Sequence, residues 1–174
     1  MLTNPPHTPQ LLRLWGILCF SCLLFVTAGQ ARLGETEKQL IERFGPPRLQ
    51  AQHSIIAQGK IIPLGPQLHF AEGDWRIVCD IVDGKCLRIA YSKQGDWTED
   101  QFQLVLNNNS QGSKWVEITK PSIAKLQREW KRGDGSTGKW TKVTGFALTW
   151  DAYKKAKAKA EERARIEASR KPKI

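Results

Sequence analysis

The sequence contains few of the side chains from which metal centres and acid–base catalysts are built. Of its three histidines, His53 and His69 lie beyond the N-terminal region, and neither has a cysteine, acid or second histidine at metal-ligand spacing. No serine stands in the Gly-x-Ser-x-Gly frame of a nucleophile elbow. We therefore expect no metal, no cofactor and no enzymatic activity. Four acids near one hairpin are interpreted as turn and surface residues: Glu72, Asp74, Asp80 and Asp83.

A complete phosphate-binding loop is also absent. Residues 133–139 have the Gly-x4-Gly-Lys spacing, but Trp140 stands where the magnesium-binding Ser or Thr should follow. The residues after it favour a strand, whereas a phosphate-binding loop must open a helix. The segment is therefore interpreted as a hairpin turn.

The sequence lacks an apolar run of the roughly 20 residues that cross a bilayer. Its long uncharged stretch, residues 14–27, follows Arg13 and precedes small residues. This order is typical of a secretory signal peptide. We assign residues 1–31 to the signal and expect an exported protein, periplasmic or secreted after cleavage. An uncleaved N-terminal membrane anchor is the alternative.

Two cleavage positions fit this signal. Val26 and Ala28 suit the positions −3 and −1 that signal peptidase recognises, and Gly29 and Ala31 suit them nearly as well. The mature chain is therefore expected to begin at Gly29 or at Arg32, with the same fold from either start.

Positive charge exceeds negative charge, and the excess is concentrated at the C-terminus. The formal net charge is +10, and residues 151–174 hold nine Lys or Arg against four Asp or Glu. This segment is expected to form a basic helix or to remain disordered. A basic tail attracts anionic membranes or polymers through a salt-screened field, while export disfavours nucleic acid as a partner.

The same capping motif predicts two short helices. Thr36 with Gln39 and Thr98 with Gln101 form Thr-Glu-x-Gln capping boxes, in which each side chain of the pair accepts from the other residue's backbone N–H. An apolar stripe follows each box, and glycine or asparagine residues then end the segment.

Between these helices the sequence predicts a β-hairpin. Trp75–Val82 and Lys85–Ser92 are rich in β-branched and aromatic residues and are joined by an Asp-Gly turn. A three-residue loop would pair Ile81 with Lys85 and place the apolar side chains on one face. Residues 68–70 are expected to add a third antiparallel strand.

Cysteine is scarce, with four residues in the whole chain. Cys19 and Cys22 lie within the signal, so their Cys-x-x-Cys spacing is not a redox or zinc motif. Cys79 and Cys86 would remain in an oxidising compartment, where two thiols can form a disulfide. The predicted register places Cys79 on the buried face and Cys86 on the opposite face, so we predict two free thiols.

These elements predict an α+β fold in which short capped helices pack on an antiparallel β-meander and a basic helix follows. The globular body spans residues 32–150 and the basic tail spans residues 151–174. The body is interpreted as two helix-plus-meander pseudo-repeats, residues 33–92 and 98–150, because both begin with Thr-Glu-x-Gln. Capping boxes that arose independently would give the same string.

Six tryptophans follow the signal, and most are expected in the core, where they supply buried area that short strands lack. Two of them lie close in sequence to cations, an arrangement that can bind a ligand by stacking. The candidate binding surface consists of Trp130, Lys131, Arg132, Lys139 and Trp140.

Residues 34–47 read Gly-Glu-Thr-x4-Ile-x3-Gly-x-Pro and precede the predicted meander. This pattern resembles the small cell-envelope modules of the SmpA/OmlA type and the related β-lactamase-inhibitor-like repeats. The chain departs from them because it lacks a lipidated cysteine and has a long segment, residues 48–66, after the first helix. The resemblance implies an exported, non-enzymatic module that binds a protein partner, as yet unidentified. A peripheral factor held at anionic surfaces by the tail and a small exported enzyme are the alternatives.

Overall fold

The computed structural model describes residues 31–170, which form an eight-stranded antiparallel sheet and three α-helices. The predicted α+β class is confirmed. Apart from Ala31, the predicted signal peptide lies outside the described residues. The elements in chain order are α1 (Glu37–Phe44), β1 (Leu49–Ala57), β2 (Lys60–Glu72), β3 (Trp75–Val82), β4 (Lys85–Ser92), α2 (Glu99–Asn108), β5 (Trp115–Glu117), a short 3-10 turn (Pro121–Ile123), β6 (Gln127–Arg132), β7 (Thr137–Thr141), β8 (Gly145–Thr149) and α3 (Asp151–Arg170).

The strands lie in the order β1-β2-β3-β4-β8-β7-β6-β5. Because α1 precedes the first four strands and α2 precedes the other four, the element order agrees with two helix-plus-meander units. The last strands of the two meanders, β4 and β8, pair with each other in the centre of the sheet. The first strands, β1 and β5, form its edges.

Both predicted capping boxes are present. The backbone N–H of Gln39 donates to Thr36 Oγ1 at 3.3 Å, and the backbone N–H of Thr36 donates to Gln39 Oε1 at 2.9 Å. Thr98 and Gln101 make the same reciprocal pair at 3.3 Å and 3.1 Å. These bonds satisfy N–H groups that the first turn of a helix leaves without a partner, so the two helix starts are locally encoded.

The sheet extends further on its N-terminal side than predicted. β2 covers thirteen residues rather than residues 68–70, and it pairs with β1, a strand that the sequence did not predict. The pairing register shifts beside His53, where Leu64 is left without a partner. This bulge lets the strand continue past Pro63 and Pro66, which would otherwise interrupt a regular ladder.

The β3–β4 hairpin closes through a tighter turn than predicted. Asp83 and Gly84 have φ values of 51° and 74°, and two positive values are what a two-residue type I′ turn requires. Val82 therefore pairs with Lys85, and the predicted pairing of Ile81 with Lys85 is wrong. The apolar side chains still share one face because the register shifts by one residue beyond the turn.

That register shift brings both cysteines to the core. Ile81 pairs with Cys86 and Cys79 pairs with Ile89, so Leu87 lies in a bulge. Cys79 and Cys86 are fully buried free thiols in the same core cluster, and the prediction that they lie on opposite faces is wrong. The bulge is the reason, because an extra residue reverses the alternation of side chains beyond it.

The inner face of the sheet carries the main core. Ile77 and Phe146 lie there, together with Leu40 of α1 and Phe102 of α2. The ring of Phe102 stacks on that of Trp97 with 5.2 Å between centroids and meets Phe146 edge-on at 5.8 Å. All six tryptophans of the described residues are in this core or packed against it, which confirms the expectation for the tryptophans.

The outer face of the sheet carries α3, which contacts β1, β2 and β4. Ala164 is buried beneath the helix, and Tyr153 Oη is hydrogen-bonded to His53 Nε2 at 2.7 Å. The basic segment is therefore a helix docked on the sheet. Its docked side is lined with alanines at four-residue spacing, which allow a close approach to the strands: Ala152, Ala156, Ala160 and Ala164.

The first described residues pack into the core. Ala31 and Leu33 are 0% and 2% exposed. The N–H of Gly34 donates to the Cys86 carbonyl at 2.8 Å, and the N–H of Cys86 donates to the Glu35 carbonyl at 2.7 Å. The segment before α1 is therefore paired with the start of β4 and helps to close the core.

Candidate binding surface

The structure separates the five residues of the predicted binding surface. Trp130, Arg132 and Trp140 are 2%, 2% and 9% exposed, whereas Lys131 and Lys139 are exposed. Successive side chains of a strand point to opposite faces, so these two lysines lie on the outer face while the tryptophans lie on the inner face. The predicted groove of indole rings and cations is therefore not formed.

Arg132 holds the second meander to the end of α2. Its guanidinium donates to the Asn109 carbonyl, to Gln111 Oε1 at 3.2 Å and to both carboxylate oxygens of Asp134 at 3.0 Å and 2.6 Å. The donated bonds lower the pKa of the Asp134 carboxyl below its ordinary value. Residues 133–136 are thus a hairpin turn organised around a buried arginine, as interpreted from the sequence, whereas residues 137–139 of the interpreted turn belong to β7.

A different surface lies on the outer face, on β6 to β8 and at Ala90 of β4, beside the part of the sheet that α3 covers. Two neighbouring rows of paired residues cross it. One runs from Ala90 through Ala147 to Lys139, and the other runs through Thr149 and Thr137 to Lys131. All six are at least partly exposed. We call this surface the open face, and it consists of Ala90, Ala147, Lys139, Thr149, Thr137 and Lys131.

The open face carries two lysines and ends at an apolar edge, and Glu129, the residue paired with Lys139 in the next strand, neutralises one of them. Lys139 Nζ lies 3.2 Å from Glu129 Oε1. Lys131 has no ion-pair partner among residues 31–170. On the edge strand β5 and just beyond it, the side chains of Val116 and Ile118 are 61% and 54% exposed. The face therefore combines small side chains, hydroxyl groups, positive charge and an exposed apolar border.

Beneath α3 lies a buried polar network that the sequence did not predict. Asp80 is fully buried and accepts from Gln67 Nε2 at 2.7 Å and from Arg88 at 2.8 Å. His53 Nδ1 lies 3.8 Å from the same carboxylate, and its other ring nitrogen bonds Tyr153. Interpreting Asp80 as a surface residue was therefore wrong.

This network fixes the first turn of α3 on the sheet. Partial burial and the nearby Asp80 carboxylate raise the pKa of the Tyr153 hydroxyl, so this group stays protonated and able to hydrogen-bond. The sequence feature that could have revealed the position of Asp80 is the alternation of side chains along β3, which places Asp80 on the face opposite Cys79 and away from the main core. An aspartate at such a position needs partners only if something covers that face, and α3 covers it.

A groove of about 560 Å³ runs between α3 and the strands beneath it. Ile61 and neighbouring apolar residues form one wall, and Lys159 and Arg163 rise from the helix on the other. These two cations are one helical turn apart, and neither makes an ion pair within residues 31–170. Lys60, Asp83 and Glu167 also line the groove, and Lys60 pairs with Glu167. The groove therefore holds three cations and two acids, and the repulsion between Lys159 and Arg163 favours an anion beside these two residues.

No family model matches the chain, and neither the curated proteins nor the solved structures include a match. Across residues 31–170, none of the helices has the length and apolar character needed to cross a membrane. In the same part of the chain, His, Cys, Asp and Glu side chains form no group of three or more suited to a metal ion. The open face and the groove are therefore the two surfaces on which a function can be based.

Proposed function

We propose that this chain is an exported, non-enzymatic module of the cell envelope that holds an acidic protein partner against the open face. The unequal covering of the sheet carries the proposal. Helices and the N-terminal segment pack on the inner face, and α3 lies over β1, β2 and β4, while the outer side chains of β6 to β8 stay partly or fully exposed. The predicted export signal and the resemblance of residues 34–47 to envelope modules support the envelope location.

Small side chains at the centre of the open face suit close contact with a partner. Ala90 and Ala147 are paired neighbours on β4 and β8, and both are partly exposed. Alanine loses no side-chain rotamer entropy on binding, and the threonines beside it offer hydroxyl donors and acceptors. A partner can therefore lie flat on these strands at a low entropic cost.

The charge of the face selects the class of partner. Lys131 projects from the open face without an ion-pair partner among residues 31–170, Lys139 is paired with Glu129, and the whole chain carries a net charge of +10. Opposite charge increases the rate of encounter and disfavours wrong partners by like-charge repulsion. An acidic protein surface is therefore the expected complement.

Site-specific crosslinking in the full-length exported protein tests this proposal. A photoreactive residue placed at Ala147 or at Thr137 should give the same protein adduct. The same residue at Ala158, which is exposed on α3, should give none. Mass spectrometry should identify a partner with an acidic surface, and the yield of the adduct should fall as the salt concentration is raised.

Charge and bulk substitutions provide the matched controls. Ala147→Arg should lower the affinity for that partner at least tenfold by holding it away from the strands. Lys131→Glu should also weaken binding, whereas Lys125→Glu, an equal charge change at an exposed residue outside the open face, should not. Equal losses in the two charge variants, or an adduct from Ala158, would contradict the proposed face.

A second candidate function is peripheral attachment to an anionic surface through the groove beside α3. Lys159 and Arg163, which make no ion pair within residues 31–170, carry this candidate because they place positive charge beside exposed Ile61. Such a pairing suits an anionic lipid surface. Deleting residues 151–174 is not a clean test, since it also removes the contact between Tyr153 and His53.

Vesicle sedimentation with two matched double variants is the cleaner measurement. The Lys159→Gln/Arg163→Gln protein should lose binding to vesicles that contain anionic phospholipid. The Lys157→Gln/Arg165→Gln protein removes the same charge from residues already paired with glutamates, and it should keep most of its binding. Equal behaviour of the two variants would show that overall charge acts, with no role for the groove.

A further inference from the structure

We propose that signal peptidase cuts this chain between Ala28 and Gly29, and that the other fitting position, after Ala31, is not used. The inference rests on the export part of the proposed function. Hydrolysis would break the bond between the Ala28 carbonyl carbon and the Gly29 nitrogen. Water would supply the carboxylate oxygen on Ala28, and Gly29 would become the new α-ammonium terminus.

Ala31 belongs to the folded core. Its side chain is 0% exposed, and its carbonyl accepts a hydrogen bond from Tyr91 Oη at 2.6 Å. The Tyr91 side chain is itself buried, and burial raises the pKa of its hydroxyl well above the ordinary value, which keeps it protonated as a donor. The Ala31 carbonyl is thus the acceptor for a buried hydroxyl.

Asn109 hydrogen-bonds the backbone on both sides of Arg32. Its Nδ2 donates to the Ala31 carbonyl at 3.4 Å, and its Oδ1 accepts from the Leu33 N–H at 2.8 Å. Gln111 Nε2 donates to the Leu33 carbonyl at 2.6 Å. Side chains from the end of α2 therefore hold residues 31 to 33 as a unit.

A cut after Ala31 would remove part of that unit. Tyr91 would lose its acceptor at a position closed to water, and an unsatisfied buried hydroxyl is costly. The space filled by Ala31 would also become a void. The two starts are therefore expected to give the same fold with different stability. A cut after Ala28 keeps Ala31, with Gly29 and residue 30 before it.

The N-terminal residue of the exported protein distinguishes the two cleavage positions. Full-length protein is produced in a bacterial host, the cells are fractionated, and the mature end is read by mass spectrometry. A start at Gly29 is expected. A start at Arg32 would overturn this inference and leave export intact, whereas an uncut N-terminus in the cytoplasmic fraction would overturn export as well.

Two substitutions distinguish the positions independently. Ala28→Lys places a large charged side chain at −1 of the inferred cut, and it should leave the precursor uncleaved. Gly29→Lys changes −3 of the alternative cut but only the first mature residue of the inferred one, and it should be processed like the wild type. The reverse pattern would show that cleavage follows Ala31.

The structural basis is tested on chains made without the leader. The chain that starts at Arg32 should unfold at a temperature about 3 to 9 °C lower than the chain that starts at Gly29. In a Tyr91→Phe background, which removes the buried hydroxyl, this difference should shrink. Equal midpoints for the two starts would refute the role assigned to Ala31.

Discussion

At the scale of single residues, burial lowers the reactivity of the two cysteine thiols in the core. Burial is the first cause, and the neighbouring Cys79 thiol the second, of a pKa for Cys86 well above its ordinary value. Because the thiolate is the reactive form, we expect the native protein, purified under reducing conditions, to react with an alkylating reagent at pH 8 at least about 100-fold more slowly than the unfolded protein. Mass spectrometry over time measures this rate. Rapid native labelling would contradict the closed core.

Gly145 is required where β8 approaches β4. Its φ is +78°, and an added Cβ would lie 2.3 Å from the Tyr91 carbonyl oxygen. Gly145→Ala should therefore lower the free energy of unfolding by roughly 2 to 4 kcal/mol, measured by denaturant titration. Gly112→Ala is the control, because Gly112 has a φ of +80° but no neighbouring atom within 4 Å, so only about 1 kcal/mol is expected. Equal losses would show that the close approach costs nothing.

At the scale of elements, Arg128 connects α2 to the edge of the second meander. Its guanidinium donates to Glu99 of α2 and to Glu117 of β5, each at 2.6 Å from one of its nitrogens. It also lies 4.7 Å from the ring centroid of Phe102. Hydrogen bonds from Arg128 are the main cause of lowered pKa values for both glutamates.

The lowered values give a signed pH dependence. A carboxylate with a depressed folded pKa contributes stability above its unfolded pKa, near 4.5, and loses that contribution as the pH falls through the folded value. The free energy of unfolding should therefore fall between pH 5 and pH 2, and more steeply than in Arg128→Gln. Lys85→Gln, an equal charge change in an exposed turn, should keep the wild-type slope. Identical slopes in all three proteins would contradict the bridge.

Elements encoded by nearby residues were the ones predictable from the sequence. The capping boxes at Thr36 and Thr98 each need only four consecutive residues, and the structure has both. Strand registers were not predictable, because bulges at Leu64 and Leu87 shift every pair beyond them. The docking of α3 was not predicted either. The hydrogen bond between Tyr153 and His53 joins residues 100 positions apart in the sequence. A stripe of alanines also gives little apolar signal.

The candidate surface failed for a related reason. Trp130, Lys131 and Arg132 are consecutive, and closeness in sequence places them on one surface only if they are not in a strand. Once β6 and its pairing are known, the two faces follow, and the open face can be read from the registers. The helix boundaries could be predicted from local chemistry, but the binding surface required the tertiary arrangement.

At the scale of the whole molecule, the two meanders should unfold together. β4 and β8 pair along the centre of the sheet, and one core cluster includes residues of both units. Leu148→Ala, in the buried centre of β8, should cost roughly 2 to 5 kcal/mol and lower amide hydrogen-exchange protection in both meanders alike. Leu104→Ala, at an exposed position of α2, should change protection little. Loss confined to the second meander would show two independent units.

Within residues 31–170, β8 is the last strand along the chain, yet it lies between β4 and β7 in the middle of the sheet. A chain that leaves an interior strand has no free edge to join, so whatever follows Thr149 must turn onto a face, and here it becomes α3. A solenoid accepts another repeat at its end, because each repeat contacts only its neighbours. A further unit could therefore not extend this sheet from β8, since pairing with that strand would have to open the β4–β8 or the β7–β8 ladder.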